Sequence, residues 1–258
     1  MLVLSANILE TAVNIFNKYW LSFVYGLQFT LIISIVGTVV GLFIGLLVGG
    51  FRAVEIEADS HLLKRLSKKI LMFLSKLYIE VFRGTPMMVQ AVFIYHSLRP
   101  IVNWTPLIAG MVIVSINTGA YMSEIIRAGI QAVDKGQKEA ARSLGMSGIQ
   151  TMLYVIIPQA IKNSFPAMGN ELIVNIKDSS VLNVISVTEL FFQSSSIAGS
   201  VFKYKETFLV TALIYLLLTI IFSNVLKYIE NKLNNTKSSY PSSDTSIVNK
   251  HIKVKVKL

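Results

Sequence analysis

The chain has 258 residues, of which 53% are hydrophobic and only 15% charged, with a mean hydropathy of +0.61 and a net charge of +10. Soluble domains run at roughly 45–50% apolar and about 25% charged, so this composition excludes an ordinary soluble globule and reads as a polytopic membrane protein. The absence of cysteine excludes disulfides and thiolate metal sites, and His61, His96 and His251 are isolated from one another, so no metal centre is expected.

Residues 1–19 are amphipathic and predict a short interfacial helix, with no basic n-region or small-residue cleavage site to suggest a signal peptide. A first span follows from about Trp20 to Gly50, anchored at its start by Lys18, Tyr19 and Trp20. Gly37, Gly41, Gly45 and Gly49 recur every four residues along it, a small-residue stripe that lets another helix approach closely. The stretch 52–83 carries Arg52, Lys64, Arg65, Lys68, Lys69, Lys76 and Arg83, as a cytoplasmic loop does. Arg83-Gly84-Thr85-Pro86 interrupts the next apolar run, predicting an elbow before a second span of about Pro86–Leu98. A short connection over Arg99–Thr105 leads to a third span, Leu107–Arg127.

Residues 128–166 form a polar loop bearing Lys135, Lys138, Arg142 and Lys162. A weaker fourth span covers Gly169–Phe192, and Lys203 and Lys205 lie in the connection to a clear fifth span, Thr207–Tyr228. Residues 233–258 are rich in Ser, Asn and Lys and are expected to be a disordered cytoplasmic tail. The reading is therefore all-α, with about five transmembrane helices over residues 20–232. Placing the 52–83 loop, the 128–166 loop and the tail inside leaves only Lys18, Arg99, Lys203 and Lys205 outside, so the N-terminus is outside and the C-terminus inside. Because Lys and Arg flank apolar segments, the basic charge points to a lipid bilayer and not to nucleic acid.

The sequence contains no G-x-x-x-x-G-K-[ST] phosphate loop, no H-E-x-x-H and no G-x-S-x-G. It is read as a non-enzyme that needs no cofactor. The segment Glu139-Ala140-Ala141-Arg142-Ser143-Leu144-Gly145 predicts a short helix, a left-handed glycine stop, and a second helix reaching Pro158. Ala140, Ala141 and Leu144 give the first helix a small apolar face, which suits either insertion into a groove on another protein or an ordinary amphipathic connector.

Glu139–Pro158 resembles the signature loop of ABC importer permeases: E-A-A-x-x-x-G, nine residues, then I-x-L-P, with Val155 and Ile157 as conservative departures. Phe82-Arg83-Gly84-Thr85-Pro86 with Val89-Gln90, Gly119–Ile130, Lys135-Gly136-Gln137, Pro158-Gln159-Ala160, Pro166–Asn170 and Lys177–Ser180 resemble the polar amino acid importers of the histidine, glutamine and arginine types. The likeness extends over about 20–232. It implies an ABC importer type I transmembrane fold in a bacterial cell membrane, with two permeases paired as identical or different subunits. It further implies a separate ATPase subunit docked on Glu139, Ala140, Ala141, Leu144, Gly145 and Pro158, and an external solute-binding protein that delivers a polar amino acid. An ion-coupled secondary transporter is the alternative, although internal repeats and extra spans are not evident.

Polar groups inside spans are costly and are candidates for the substrate path. Asn117, Tyr121 and Glu124 share one face of the third span; Asn175, Asp178 and Leu182 share one on the fourth, with Ser179 alongside; Gln90 and His96 lie on the second. Glu124 or Asp178 could meet an ammonium group. The same residues could instead hydrogen-bond between helices or line a dimer seam.

Overall fold

A chain crossing a bilayer satisfies its backbone only as helices or as a closed barrel, and here the long apolar runs select helices. The computed structural model describes residues 2–53 and 62–235, and every regular element among them is helical. Most of the expected tail therefore lies outside the described residues, as does part of the basic 52–83 stretch.

Helix α1 (Leu2–Ala53) is broken at Tyr19, where φ −117° and ψ 17° depart from helical values. Helix lies on both sides of this kink, so the interfacial segment passes into the first span without an intervening loop. α2 (Leu62–Gly84) and α3 (Met87–Val102) are separated at Thr85-Pro86, with Pro86 extended at φ −64° and ψ 135°. α4 (Pro106–Gln131) starts with proline in its first turn, and the Thr105 hydroxyl accepts from Ile108 N–H at 3.3 Å. α5 (Lys135–Ser143) is capped by Asp134, which accepts from Gly136 N–H at 2.7 Å.

The three-residue α6 (Gly148–Gln150) opens with a capping box between Ser147 and Gln150 and runs through a π-helical turn, Thr151–Ile156, into α7 (Ile157–Asp178). The second helix of the signature segment thus continues past Pro158 instead of stopping there. Pro158 lies in the first turn of α7, directly after the π-helical turn, so the helical path bends its hydrogen-bond register there without ending. A 3₁₀ segment, Ser179–Ile185, follows, then α8 (Leu190–Val201) and α9 (Tyr204–Asn235).

Among the described residues three helices are long and apolar enough to cross a membrane singly: α1, α4 and α9. The expected fourth span is not one straight helix. Its two halves, Gly148–Ile185 and Leu190–Val201, are bent by 56° at a turn where Ser186 takes φ 63°, and together they pass the same criterion. Its apolar signal is weak because Asn170, Glu171, Asn175, Lys177, Asp178 and Asn183 interrupt the run. The 16 residues of α3 reach about 24 Å, short of the ~30 Å hydrocarbon core, so α3 alone does not cross it.

The scaffold's main seam joins α1 to α4. A methyl group built on Gly41 would lie 2.8 Å from Thr118 Cβ, and one on Gly45 would lie 2.8 Å from the Met122 carbonyl carbon. Gly37 and Gly49 meet Val114 and Ser123 in the same way, so the four-residue stripe is the surface that lets the two backbones touch. Ile33, Ala91, Ala109, Ile113, Leu182 and Val187 form the largest buried cluster, joining α1, α3, α4 and the 3₁₀ segment.

Candidate functional site

The Pro86 break creates the first feature of the site. Proline cannot donate, so the carbonyl of Phe82, four residues earlier, loses its helical partner. Two side chains take it up: Gln90 Nε2 donates to Phe82 O at 3.0 Å, and Asn117 Nδ2 donates to it at 3.2 Å. Gln90 also donates to Thr85 O and Thr85 Oγ1 at 2.9 Å, and its own Oε1 accepts from Asn117 at 2.9 Å. The elbow is thereby clamped onto α4. Gln90 is 7% exposed and spent on this task.

Beside the clamp lies a cavity of about 510 Å³ whose walls include Arg83, Asn117, Tyr121, Glu171, Asn175 and Asp178. Residues from α2, α4 and α7, distant in sequence, are brought to one place. Asn175 is buried and holds the seam: its Nδ2 donates to Thr38 Oγ1 at 2.8 Å, and its Oδ1 accepts from Thr118 Oγ1 at 3.1 Å. The Arg83 guanidinium sits 5.2 Å from the centre of the Tyr121 ring, within cation–π range. Glu171 and Asp178 lie seven residues apart on one face of α7, with Asn175 between them. Neither forms an ion pair among the described residues. One guanidinium and two carboxylates therefore share a concave polar space, which can bind a ligand bearing both signs of charge.

Besides Gln90, two further candidates, Ser179 and Glu124, also lie outside the cavity wall. Ser179 is fully buried and donates to Ile176 O at 3.0 Å, so it closes the end of α7 and does not line the cavity. Glu124 faces the far end of α4, where it pairs with Arg52 of α1 and, at 2.8 Å, with Arg127. The Arg52 pair ties the end of α1 to α4, and the Arg127 pair lies within α4 itself. Arg52 and Arg127 in turn border a second cavity, of about 1040 Å³, together with Lys135, Lys138, Glu139 and Arg142.

The signature loop has its own geometry. Ala141 is the only buried residue of α5. Leu144 is 84% exposed, and Ile149, Leu153 and Tyr154 are also exposed, so these apolar side chains are left uncovered by the described residues. Gly145 takes φ +81°, and a Cβ there would meet nothing within 4 Å, so backbone conformation alone demands glycine. Met146 N–H reaches Ala141 O at 3.2 Å and Gly145 N–H reaches Arg142 O at 3.0 Å, closing the end of α5.

Three residues of the cavity wall and the bundle are not among the candidates that the sequence marks. Arg83 was read as loop charge. Glu171 was passed over although its spacing of four to Asn175 and seven to Asp178 was a signal of a shared face. Glu189 is fully buried at the start of α8 and gave no signal beyond its place before an apolar run. It accepts from Phe191 N–H at 2.9 Å, Phe192 N–H at 2.7 Å and Tyr215 O–H at 3.0 Å, and Thr30 Oγ1 stands 3.5 Å away. It binds α1, α8 and α9 into one end of the bundle.

Residues 58–235 match the family model described as binding-protein-dependent transport system inner membrane component. The glutamine transport system permease protein GlnP of Escherichia coli K12 is 36% identical over 213 residues, covering 81% of this chain and 92% of that protein. The arginine transport system permease protein ArtQ of Bacillus subtilis is 38% identical over 165 residues, covering 63% and 75%. Among solved structures, an amino acid ABC transporter crystallised with histidines is 40% identical, with a TM-score of 0.73, over 83% of this chain and 95% of that one. An inward-facing MetNI methionine ABC transporter, at 20% identity and a TM-score of 0.71 over 84% and 98%, shares the fold.

Proposed function

Because this chain belongs to the family of binding-protein-dependent transport system inner membrane components, we propose that it is the membrane-spanning subunit of an ATP-driven importer of polar amino acids. It resides in a bacterial cell membrane and pairs with a second permease. A separate ATPase supplies the energy and an external solute-binding protein delivers the cargo. Five crossings follow if α2 and α3 together make the second, with the N-terminus outside and the signature loop in the cytoplasm.

The observation that carries the reading is the capped, glycine-terminated helix α5 ending at the exposed Leu144, followed by the exposed Ile149 and Tyr154 of the next helical segment. Exposed apolar side chains on helical segments of this kind fit a groove on a partner, and the chain carries no phosphate loop. Glu139, Ala140, Ala141, Leu144 and Gly145 form the docking element, and Pro158 connects it to α7.

In the cavity, Arg83 receives the substrate α-carboxylate, and Glu171 with Asp178 receives its ammonium or a polar side chain. Tyr121 supplies a face beside Arg83. Asn117 and Asn175 shape the wall, Gln90 and Ser179 hold the neighbouring backbone, and Glu124 braces the cytoplasmic end.

Gly145→Asp tests the docking. An L-residue at φ +81° is strained, and a carboxylate disturbs the exposed apolar side chains. Expected is normal membrane insertion with loss of ATPase co-purification and uptake; wild-type transport by this variant overturns the assignment. In vesicles, uptake should require ATP and the ATPase partner. Uptake driven by an ion gradient without them would establish a secondary transporter instead.

A further inference from the structure

Between the docking segment and α7 the chain adopts a geometry that helices seldom use. Thr151–Ile156 is a π-helical turn, closed by Ile157 N–H reaching back to Met152 O. Such turns hold one residue too many for an α-helix and occur frequently at functional sites. Pro158 supplies the cause. In α-helical register its ring would collide with the carbonyl of Tyr154, four residues earlier, and it has no N–H to offer that carbonyl. Widening the turn removes the collision.

Gln159 completes the arrangement. Its Nε2 donates to Val155 O inside the turn at 2.9 Å and also reaches Gln137 Oε1 on α5 at 3.4 Å. One side chain therefore links the turn to the docking helix. At the other end, Thr151 is 2% exposed and its hydroxyl has no hydrogen-bond partner among the described residues. A buried hydroxyl left unpaired is a cost that a different arrangement of the same turn can relieve.

We propose that Pro158 and Gln159 are positioning residues that hold Thr151–Ile156 as a hinge between π and α registers, through which movement of the docked loop becomes rotation of α7. The inference rests on the docking reading above. An α-helical residue turns by about 100° and rises by about 1.5 Å, so returning the turn's one surplus residue to α register would rotate the following helix by about that angle and advance it by about that distance. Because α7 carries Glu171, Asn175 and Asp178, a fraction of that motion re-aims one wall of the cavity. Pro158 then belongs to transmission and not to the docking face.

The test uses the permease reconstituted in vesicles with its ATPase and binding protein, a radiolabelled mixture of the protein amino acids, and the variant Pro158→Ala. Alanine restores the N–H and removes the clash, so the turn can close. Expected is wild-type co-purification with the ATPase and continued ATP hydrolysis, with amino acid moved per ATP falling roughly tenfold. An unchanged ratio overturns the hinge. Loss of ATPase association by Pro158→Ala also overturns it, by placing Pro158 in the docking face. Retention of association by Gly145→Asp would instead show that the docking reading itself fails. Should Pro158→Ala not fold, amide exchange in the wild-type complex decides. A non-hydrolysable ATP analogue should change protection over 152–158 more than over 137–143 or 165–175, and equal change overturns the proposal.

Discussion

Gly45→Ala should destabilise this protein, whereas Gly50→Ala, on the same helix, should not. A Cβ on Gly45 would lie 2.8 Å from the Met122 carbonyl carbon and 3.0 Å from Ser123 N. Both are backbone atoms of α4, so no side-chain rotation relieves the contact, and α1 must move off α4 along the whole glycine stripe. Overpacking of this kind costs about 1–3 kcal/mol. Alanine recovers up to about 1 kcal/mol of helix propensity, leaving a net loss of about 0–2 kcal/mol. At Gly50 nothing lies within 4 Å, so only the propensity gain remains. The two variants should therefore differ by about 1–3 kcal/mol, the size of the clash itself. Thermal unfolding of the detergent-solubilised proteins, run side by side, reads the difference as several degrees in Tm. Equal Tm values would mean that α1 and α4 do not meet at this stripe, and the account of the scaffold would fall.

Glu189→Ala removes the cap of α8 and strands the Phe191 and Phe192 amides and the Tyr215 hydroxyl, a loss of about 2–4 kcal/mol in the same thermal assay; wild-type stability would exclude the carboxylate as a tie between helices. Gln90→Leu leaves the Phe82 carbonyl with one donor in place of two and strips Asn117 of its acceptor, so stability should fall by about 1–3 kcal/mol, and an unchanged Tm would dissolve the clamp at the elbow. Asp178→Asn and Glu171→Gln should each lower uptake about tenfold, equivalent to about 1.4 kcal/mol of lost substrate interaction, with insertion and ATPase association intact. Full uptake by both variants would remove the cavity from the substrate path.

Much of the architecture was legible from local chemistry. Composition and apolar runs were enough to place α1, α4 and α9, because an unbroken apolar helix carries its own signal. The elbow at Pro86 and the glycine stop at Gly145 were equally local, since missing donors and positive φ depend on one residue each. Legibility failed where a residue's role depends on what faces it. Asn117, Tyr121 and Glu124 share a helical face in sequence, yet the first two reach the cavity while Glu124, one turn farther along, meets Arg52 from α1. Gln90 could be read from sequence as a ligand contact or as a hydrogen bond between helices, and in the fold it meets the orphaned Phe82 carbonyl and Asn117. The fourth span looked like a single helix because its bend at Ser186 arises from a left-handed serine, a conformation with little sequence signature.

By itself, then, the sequence determined the class of the protein, its helices, the small-residue stripe and the loop motif, all of which depend on hydrophobicity, spacing and backbone preference along a single segment. Only the tertiary structure decided that the stripe meets α4, that Arg83, Glu171 and Asp178 converge on one cavity, and that Pro158 opens a π-helical turn between the loop and α7. Those outcomes depend on which surfaces meet across tens of residues, and a periodic pattern can mark a face without specifying what packs against it.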